Sequence, residues 1–316
     1  MSLDAALFHG PVAVPPLARR DDSSQSVDPD QNDLLFRHIA SGGITRFMYG
    51  GNAFLYHVSL ADFQTMTEWL SGYATQYLTI PSIGPSFGHA LDEAAILSRL
   101  PFRCAMLLPC TDPRDAAGLE AGIKRLTDTA GMPLIIYIKD ENNFGGDKEK
   151  GVDAIARLID SGDAVLVKYA VIRRDPRADP YLQTLLSRVD RSRVISGIGE
   201  RPAISHMRDW NLPGFTTGSI SIAPALSRQL WEAASARDFA RAEAIRDQFL
   251  PIEDLRDAWG PSVVLHHAVE LADIARTGPI LPFLSALGDE QLDQLRPVAK
   301  ALLARNQNST ASGMLL

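Results

Sequence analysis

Cysteine is scarce in this sequence, which has only Cys104 and Cys110 among its 316 residues. Two closely spaced thiols argue against a disulfide framework and favour a reducing compartment. The metal-binding patterns CxxC and HExxH are also missing. We therefore predict no metal site and no other bound cofactor.

Membrane-spanning and strongly basic segments are missing as well. No run of about 18 apolar residues is present, so the sequence predicts no transmembrane helix. The first residues lack a basic segment followed by a long apolar one, so we also predict no signal peptide and a cytoplasmic location. The formal net charge is −7, which argues against general affinity for nucleic acid or for an anionic membrane.

Short apolar runs that alternate with helical patterns occupy most of the chain. The runs are mostly β-branched or aliphatic and are bounded by Gly, Pro or Asp, which is typical of buried parallel strands. Eight strands are predicted at Pro11–Pro15, Thr45–Tyr49, Tyr77–Pro81, Cys104–Leu108, Leu134–Tyr137, Ala164–Lys168, Arg193–Ser196 and Gly214–Thr217. Helical patterns lie between them at Gln31–Ala40, Leu60–Tyr73, Leu91–Arg99, Asp115–Thr129, Gly151–Asp160, Pro180–Arg188 and Ala203–Trp210, with Ser59 as a predicted cap.

This alternation predicts an α/β fold whose parallel sheet is either closed or doubly wound. We favour a (β/α)8 TIM barrel because the strands number eight and no Gly-x-Gly-x-x-Gly follows an early strand. Later patterns are all helical, at Ala223–Ala234, Asp238–Leu250, Pro261–Asp273 and Asp289–Ala304. We therefore predict a barrel over residues 1–234 and a C-terminal helical extension over 235–316, which frays from Asn306 onward.

Lys168 is the most informative single residue, because it ends the apolar strand Ala164–Lys168. The carboxyl ends of barrel strands face the active site. A lysine buried there has its pKa lowered by desolvation and becomes a nucleophile towards a carbonyl carbon. The alternative is that Lys168 begins a loop and reaches out to solvent.

Tyr137 ends the preceding predicted strand, so its side chain is expected within reach of Lys168. A phenol beside an imine can relay the protons that imine formation and hydrolysis require. The alternative is a core tyrosine whose hydroxyl bonds to any available partner.

A glycine-rich turn follows the second predicted strand. Gly50 and Gly51 permit close approach of a ligand to main-chain N–H groups, and Asn52 adds a side-chain donor. The turn therefore predicts a carboxylate site made of backbone amides, with a plain tight turn as an equal alternative.

Small residues also follow the seventh and eighth predicted strands, in Val194–Gly199 and Gly214–Ser221. Each segment alone reads as an ordinary glycine turn, but their placement at consecutive strand ends favours a ligand pocket. Gly197, Gly199 and Gly218 also suit the phosphate site of a phosphosugar aldolase from another barrel family. No matching basic residue is evident in the sequence, which argues against that alternative.

In this order, these residues resemble the dihydrodipicolinate synthase/N-acetylneuraminate lyase family of class I, Schiff-base aldolases. Ile135–Tyr137 resembles the strand with the family's catalytic tyrosine, and Val165–Lys168 resembles the strand with its Schiff-base lysine. Ser196–Gly199 is similar to the segment after the next strand, and Gly218–Ser221, with Ile220, is similar to the segment that lines the pyruvyl pocket. The resemblance implies a (β/α)8 barrel with a helical extension, a homo-oligomer (tetramer or dimer) and a small 2-oxo acid as substrate.

The sequence departs from the family at several supporting positions. The family usually has Gly-Thr-Thr-Gly-Glu after its second strand, where Gly51 and Asn52 stand on the threonine positions here and Phe54 on the glutamate. Thr111 stands at about the position of the second relay tyrosine, and Asn142 stands where a synthase has an arginine. These changes argue against aspartate semialdehyde as a substrate.

The expected chemistry is attack of neutral Lys168 on the ketone of a pyruvate-like group. Tyr137 would shuttle protons, with Thr111 or a water completing the path, and the amides of Gly50–Asn52 would hold the carboxylate. Arg173 or Arg174 either balances the charge of the substrate carboxylate or is a solvated loop residue. Aldol cleavage, aldol condensation and dehydration of a sugar acid all stay open, as does a barrel that binds a small carbonyl or carboxylate compound without catalysis.

Overall fold

Nine short strands form one parallel sheet in this computed structural model, which describes residues 3–110, 112 and 115–313, with side chains to residue 309. The sheet order begins with β3 and ends with β4, and these two strands are halves of one stretch interrupted by Pro81. The sheet therefore returns on itself with eight strand positions, as the sequence predicts. The strands are β1 Pro11–Ala13, β2 Arg46–Met48, β3 Leu78–Ile80, β4 Ser82–Ile83, β5 Ala105–Leu107, β6 Leu134–Ile138, β7 Ala164–Tyr169, β8 Val194–Ser196 and β9 Phe215–Thr217.

Eight helices follow the eight strand positions, and four more make up the C-terminal extension in the described residues. The predicted (β/α)8 barrel with a helical extension is confirmed. The barrel helices are α1 Pro29–Ser41, α2 Leu60–Ser71, α3 Phe87–Leu97, α4 Ala116–Ala130, α5 Lys148–Ser161, α6 Pro180–Leu186, α7 Glu200–Asp209 and α8 Pro224–Ser235. The extension has α9 Phe239–Arg246, α10 Leu250–Trp259, α11 Pro261–Leu271 and α12 Asp289–Gly313. Within the described part, no helix is long and apolar enough to cross a bilayer.

Most barrel helices have a short polar side chain as their N-cap. These caps mark where the preceding loops at the barrel mouth end. The Ser59 hydroxyl accepts from the Asp62 N–H at 3.1 Å, which confirms the predicted cap of α2. Aspartate carboxylates accept from first-turn amides in the same way, a contact that offsets unpaired donors at a helix start. The capping aspartates are Asp28, Asp115, Asp147 and Asp179.

Two predictions for the extension are wrong. The predicted helix Asp238–Leu250 is broken, because α9 ends at Arg246 and a new helix begins at Leu250. Pro251 lies in the first turn of α10, where a residue without an N–H starts a helix rather than continuing one. The predicted fraying from Asn306 is also wrong over the described residues, since α12 runs to Gly313.

The Asn306 side chain holds the last helix, α12, against the barrel. Its side-chain Oδ1 accepts from the N–H groups of Ala225 at 2.8 Å and Leu226 at 3.2 Å, although the three residues are far apart in sequence. These amides belong to the first turn of α8, which has no side-chain cap of its own. The asparagine of one helix therefore caps another, and this tertiary contact orders the end of the chain.

We expect Asn306→Ala to lower the free energy of unfolding by about 1–3 kcal/mol, because two buried amide donors lose their acceptor. Asn306→Asp keeps an acceptor at a helix start, where negative charge is favoured, and should lose less. Urea unfolding followed by circular dichroism measures both variants. Equal stability of Asn306→Ala and the parent protein would contradict the capping role.

Candidate active site

Lys168 lies on β7, within the barrel, and is only 4% exposed. Among the described residues, no carboxylate or hydrogen-bond acceptor contacts its ammonium group. Burial, with a smaller contribution from the positive charge of Lys139, lowers the pKa of Lys168 from 10.5 to about 7. The sequence prediction of a buried amine at the end of this strand therefore agrees with its placement.

Tyr137 is the residue opposite Lys168 in the register of β6 and β7. The Lys168 Nζ lies 4.2 Å from the centroid of the tyrosine ring. Such a contact favours the charged amine by about 1 kcal/mol, less than the several kcal/mol by which full burial disfavours it. Burial also raises the pKa of Tyr137 to about 12, so its hydroxyl keeps its proton at neutral pH.

Gly197 provides the space that the lysine stem occupies. A Cβ at Gly197 would lie 3.0 Å from Lys168 Cγ and 2.8 Å from both the Tyr169 carbonyl oxygen and Ala170 Cβ. The Gly197 N–H donates to that Tyr169 carbonyl at 2.6 Å. The glycine is therefore required by the packing of the lysine itself.

The Gly50–Asn52 turn lies at the barrel mouth. A Cβ at Gly50 would come within 3.0 Å of Met106 Cε on β5. The Asn52 side chain donates to the Val14 carbonyl at 2.7 Å, a contact that fastens the turn to the loop after β1. The backbone amides of Gly51 and Asn52 donate to no acceptor among the described residues, which leaves them available to an anion.

Tyr56 is a further candidate that the sequence analysis did not single out. Its ring packs on Gly51, where a Cβ would lie 3.4 Å from Tyr56 Cε2. Its side chain is half-buried, and burial together with the neighbouring Tyr137 phenol raises its pKa. In the sequence, the only indication of Tyr56 is that a tyrosine follows the glycine turn closely. Its spacing from other residues does not identify the group that it contacts.

Gly199 and Ile220 lie at the ends of β8 and β9, as predicted. Gly199 has φ of +103°, and its N–H donates to the Thr216 carbonyl at 3.1 Å, which ties the two strand ends together. Ile220 is fully buried in the short helix Ser219–Ser221. A basic residue that the sequence did not place here, Arg256 of the extension, reaches both turns.

The other predicted polar residues are used elsewhere or are not described. Arg173 pairs with Asp179 at 2.9 Å and with Glu141, so it neither faces a substrate carboxylate nor is a solvated loop residue. Arg174 is exposed. Asn142 is exposed and donates to Asp140 at 2.8 Å. The predicted substrate contact Thr111 lies outside the described residues. In the part of the chain that is described, no group of three or more His, Cys, Asp or Glu side chains could hold a metal.

Comparison with known proteins agrees with this architecture. No family model and no curated protein matches the sequence. Among solved structures, dihydrodipicolinate synthase from Bacillus clausii is similar with a TM-score of 0.81 and 20% identity, over 94% of this chain and 98% of that one. N-acetylneuraminate lyase from Aliivibrio salmonicida has a TM-score of 0.78 and 17% identity, over 96% and 97%.

A third similar structure is YagE from E. coli K12, described as a member of the dihydrodipicolinic acid synthase family in complex with pyruvate. Its TM-score is 0.78 at 16% identity, over 94% of this chain and 99% of that one. At such identities a structural match establishes the fold and leaves the chemistry to the site. This chain thus has the barrel-plus-extension fold of the dihydrodipicolinate synthase and N-acetylneuraminate lyase structures.

Proposed function

We propose that this protein is a Schiff-base-forming lyase of the class I aldolase type that acts on a pyruvate-like 2-oxo acid. It would be a divergent member of the dihydrodipicolinate synthase/N-acetylneuraminate lyase family. The observation that carries the proposal is the buried Lys168 amine with its pKa near 7. About half of this amine is neutral at pH 7, against roughly one in a few thousand for an ordinary lysine.

The reaction begins when neutral Lys168 Nζ attacks the keto carbon. A proton moves from nitrogen to oxygen to give a carbinolamine, and loss of water, with a proton supplied by Tyr137, leaves a protonated imine. In cleavage the imine nitrogen accepts the electron pair of the broken C–C bond at the neighbouring carbon, which gives an enamine and releases an aldehyde. In condensation or dehydration a C–H bond at that carbon breaks first, its proton passes to the Tyr137 phenolate, and the resulting enamine attacks an aldehyde or expels a hydroxyl, which leaves as water after it is protonated. Aldol cleavage, aldol condensation and dehydration of a sugar acid share this imine.

Tyr137 must regain its proton after each transfer, and we assign that task to Tyr56. The Tyr137 hydroxyl bonds to no described residue, and the partly exposed Tyr56 is near enough for the Tyr137 phenol to help raise its pKa. The proton path would run from the imine through Tyr137 and Tyr56 to water. This arrangement supplies a second hydroxyl where the family's threonine position holds Gly51.

The substrate carboxylate would lie against the amides of Gly51 and Asn52, which have no other acceptor among the described residues. The pyruvate complex of YagE supports a 2-oxo acid as the ligand class. We also propose a homo-oligomer, a cytoplasmic location and a boundary between barrel and extension at residues 234 and 235.

Incubation with pyruvate and borohydride should add the mass of the reduced 2-oxo acid to Lys168, because borohydride reduces an imine to a stable amine. Peptide mass spectrometry locates the label, and Lys168→Met should abolish it. The exposed Lys150→Met is the matched control and should still be labelled. Failure of a panel of 2-oxo acids to label the parent protein would contradict the proposal and favour a barrel that only binds its ligand.

The reactivity of Lys168 should also depend on Lys139. Removing that positive charge in Lys139→Met should raise the pKa of Lys168, since the charge disfavours a second ammonium nearby. The fraction of neutral amine at pH 7 then falls. Carbamylation of Lys168 by cyanate, followed over pH by mass spectrometry, reports this pKa without any substrate. The exposed Lys150→Met is the control, and an unchanged profile in Lys139→Met would contradict the interaction.

Tyr137→Phe should slow borohydride-dependent labelling by about 10²–10⁴-fold, the usual contribution of a positioned acid or base. Tyr56→Phe should slow it less, by about tenfold, because water can replace part of a relay. Tyr77→Phe, a ring in the aromatic cluster with Phe36 and Phe47, is the control. Parent-like labelling rates in Tyr56→Phe would remove Tyr56 from the path.

A further inference from the structure

A buried ionic cluster joins the helical extension to two turns at the barrel mouth. It consists of Glu200, the first residue of α7, and Glu253 and Arg256 of α10. Their exposed fractions are 0%, 3% and 8%. Burying three ionisable side chains is costly unless their hydrogen bonds are largely satisfied, so the contacts of each one indicate what the cluster holds in place.

Glu200 fastens the end of β9 to α8. Its carboxylate accepts from the Thr217 hydroxyl at 2.6 Å and from the Ser227 hydroxyl at 2.8 Å. Its own N–H donates to Glu253 Oε1 at 3.0 Å. The start of α7 is therefore held by a carboxylate that comes from the extension.

Arg256 holds the turn that carries Ile220. Its Nη1 donates to the Ser219 hydroxyl at 2.9 Å and to Glu253 Oε1 at 3.2 Å. The Ser219 N–H in turn donates to the Thr217 hydroxyl oxygen at 3.1 Å. The residue before Ile220 is thus held from both sides, by the end of β9 and by the extension.

Glu253 and Arg256 also press against the turn after β8. A Cβ at Gly199 would lie 2.6 Å from Glu253 Oε1 and 3.3 Å from Arg256 Nη1, so this turn packs directly on the pair. Two residues earlier, Gly197 packs against the stem of Lys168. A shift of this turn therefore changes the space around the amine.

We propose that Arg256 and Glu253 are positioning residues of the Lys168 site, which hold the Gly197–Glu200 and Gly218–Ser221 turns in the conformation that accepts the 2-oxo acid. This inference rests on the proposed function. It makes the extension part of the active site, although neither side chain contacts the reacting atoms. Arg256, the basic residue that reaches both turns, already donates from its Nη1 to Ser219 and Glu253, which argues against a phosphate site there.

The cluster is balanced only while one glutamate is protonated. Glu253 faces Glu200, Arg256 and, at 3.9 Å from its Oε2, Arg201, which is itself paired with Asp254 and Asp257. Burial and the neighbouring Glu200 carboxylate raise the pKa of Glu253 to about 8. The folded protein therefore keeps the proton on Glu253 up to about pH 8, whereas the unfolded chain releases it near pH 4.5. Stability falls as pH rises through this interval, and the turns loosen once Glu253 ionises.

The first test compares Arg256→Gln, Ser219→Ala and the double variant, with Arg305→Gln as a matched arginine change in the extension. Hydrogen exchange followed by mass spectrometry should show faster exchange in residues 196–200 and 217–222 for the first three proteins only. The pyruvate concentration that gives half-maximal labelling of Lys168 should rise about tenfold or more, as expected for the loss of a charged hydrogen bond. The maximal labelling rate should change less.

The double variant should be little worse than either single variant, because both remove the same contact. Parent-like exchange in both segments of Arg256→Gln, or an unchanged pyruvate dependence, would overturn the inference. If pyruvate labels no protein, the Schiff-base proposal fails, while the exchange experiment still decides whether Arg256 holds the turns.

The second test uses Glu253→Gln, which keeps the acceptor oxygen but cannot ionise. In the parent protein the half-maximal pyruvate concentration should rise above pH 8, and Glu253→Gln should remove that rise. Asp254→Asn, an exposed carboxyl in the same helix, should behave as the parent. A rise above pH 8 that persists in Glu253→Gln would rule out this carboxyl as its origin.

Discussion

The packing at the mouth of this barrel depends on the desolvation of one amine, that of Lys168. Lys168 lies on β7, which is buried along its whole length, and no described carboxylate pairs with its ammonium. The register of β6 and β7 then places the Tyr137 ring against the amine, and the missing side chain of Gly197 leaves room for its stem. Burial lowers the pKa of this amine to about 7, and the proposed attack on a carbonyl depends on that shift.

Four other buried ionisable side chains among the described residues serve a different purpose. Glu93 accepts from the Gly84 N–H at 2.6 Å, while Glu200, Glu253 and Arg256 bond to backbone and hydroxyl groups at the last two strand ends. Each of these polar side chains ends in hydrogen bonds that hold a turn. Lys168 has no such bonds among the described residues, and this difference separates a candidate nucleophile from a structural ion.

The residues after β2 that differ from the pattern of the resembled family also have a physical explanation. At the position where the resembled family has a threonine, Gly51 has no side chain, and a Cβ there would lie 3.4 Å from the Tyr56 ring. Phe54, at the position of the resembled family's glutamate, stacks on Phe283 and packs at a tilt on His266, both of the extension. The turn after β2 therefore offers backbone amides and lies beside the Tyr56 phenol, the two groups that the proposed function uses.

Local patterns in the sequence are enough to predict the barrel and to single out Lys168, because strand periodicity and a lysine at the end of an apolar run are both local properties. The period of apolar residues and the bounding Gly, Pro and Asp residues placed all eight strands, and an apolar run that ends in lysine marked Lys168. Only the tertiary structure decided what surrounds that amine. Tyr56, Arg256 and Asn306 act on residues far from them in sequence, and such contacts arise from side-chain packing, which leaves no periodic pattern in the chain.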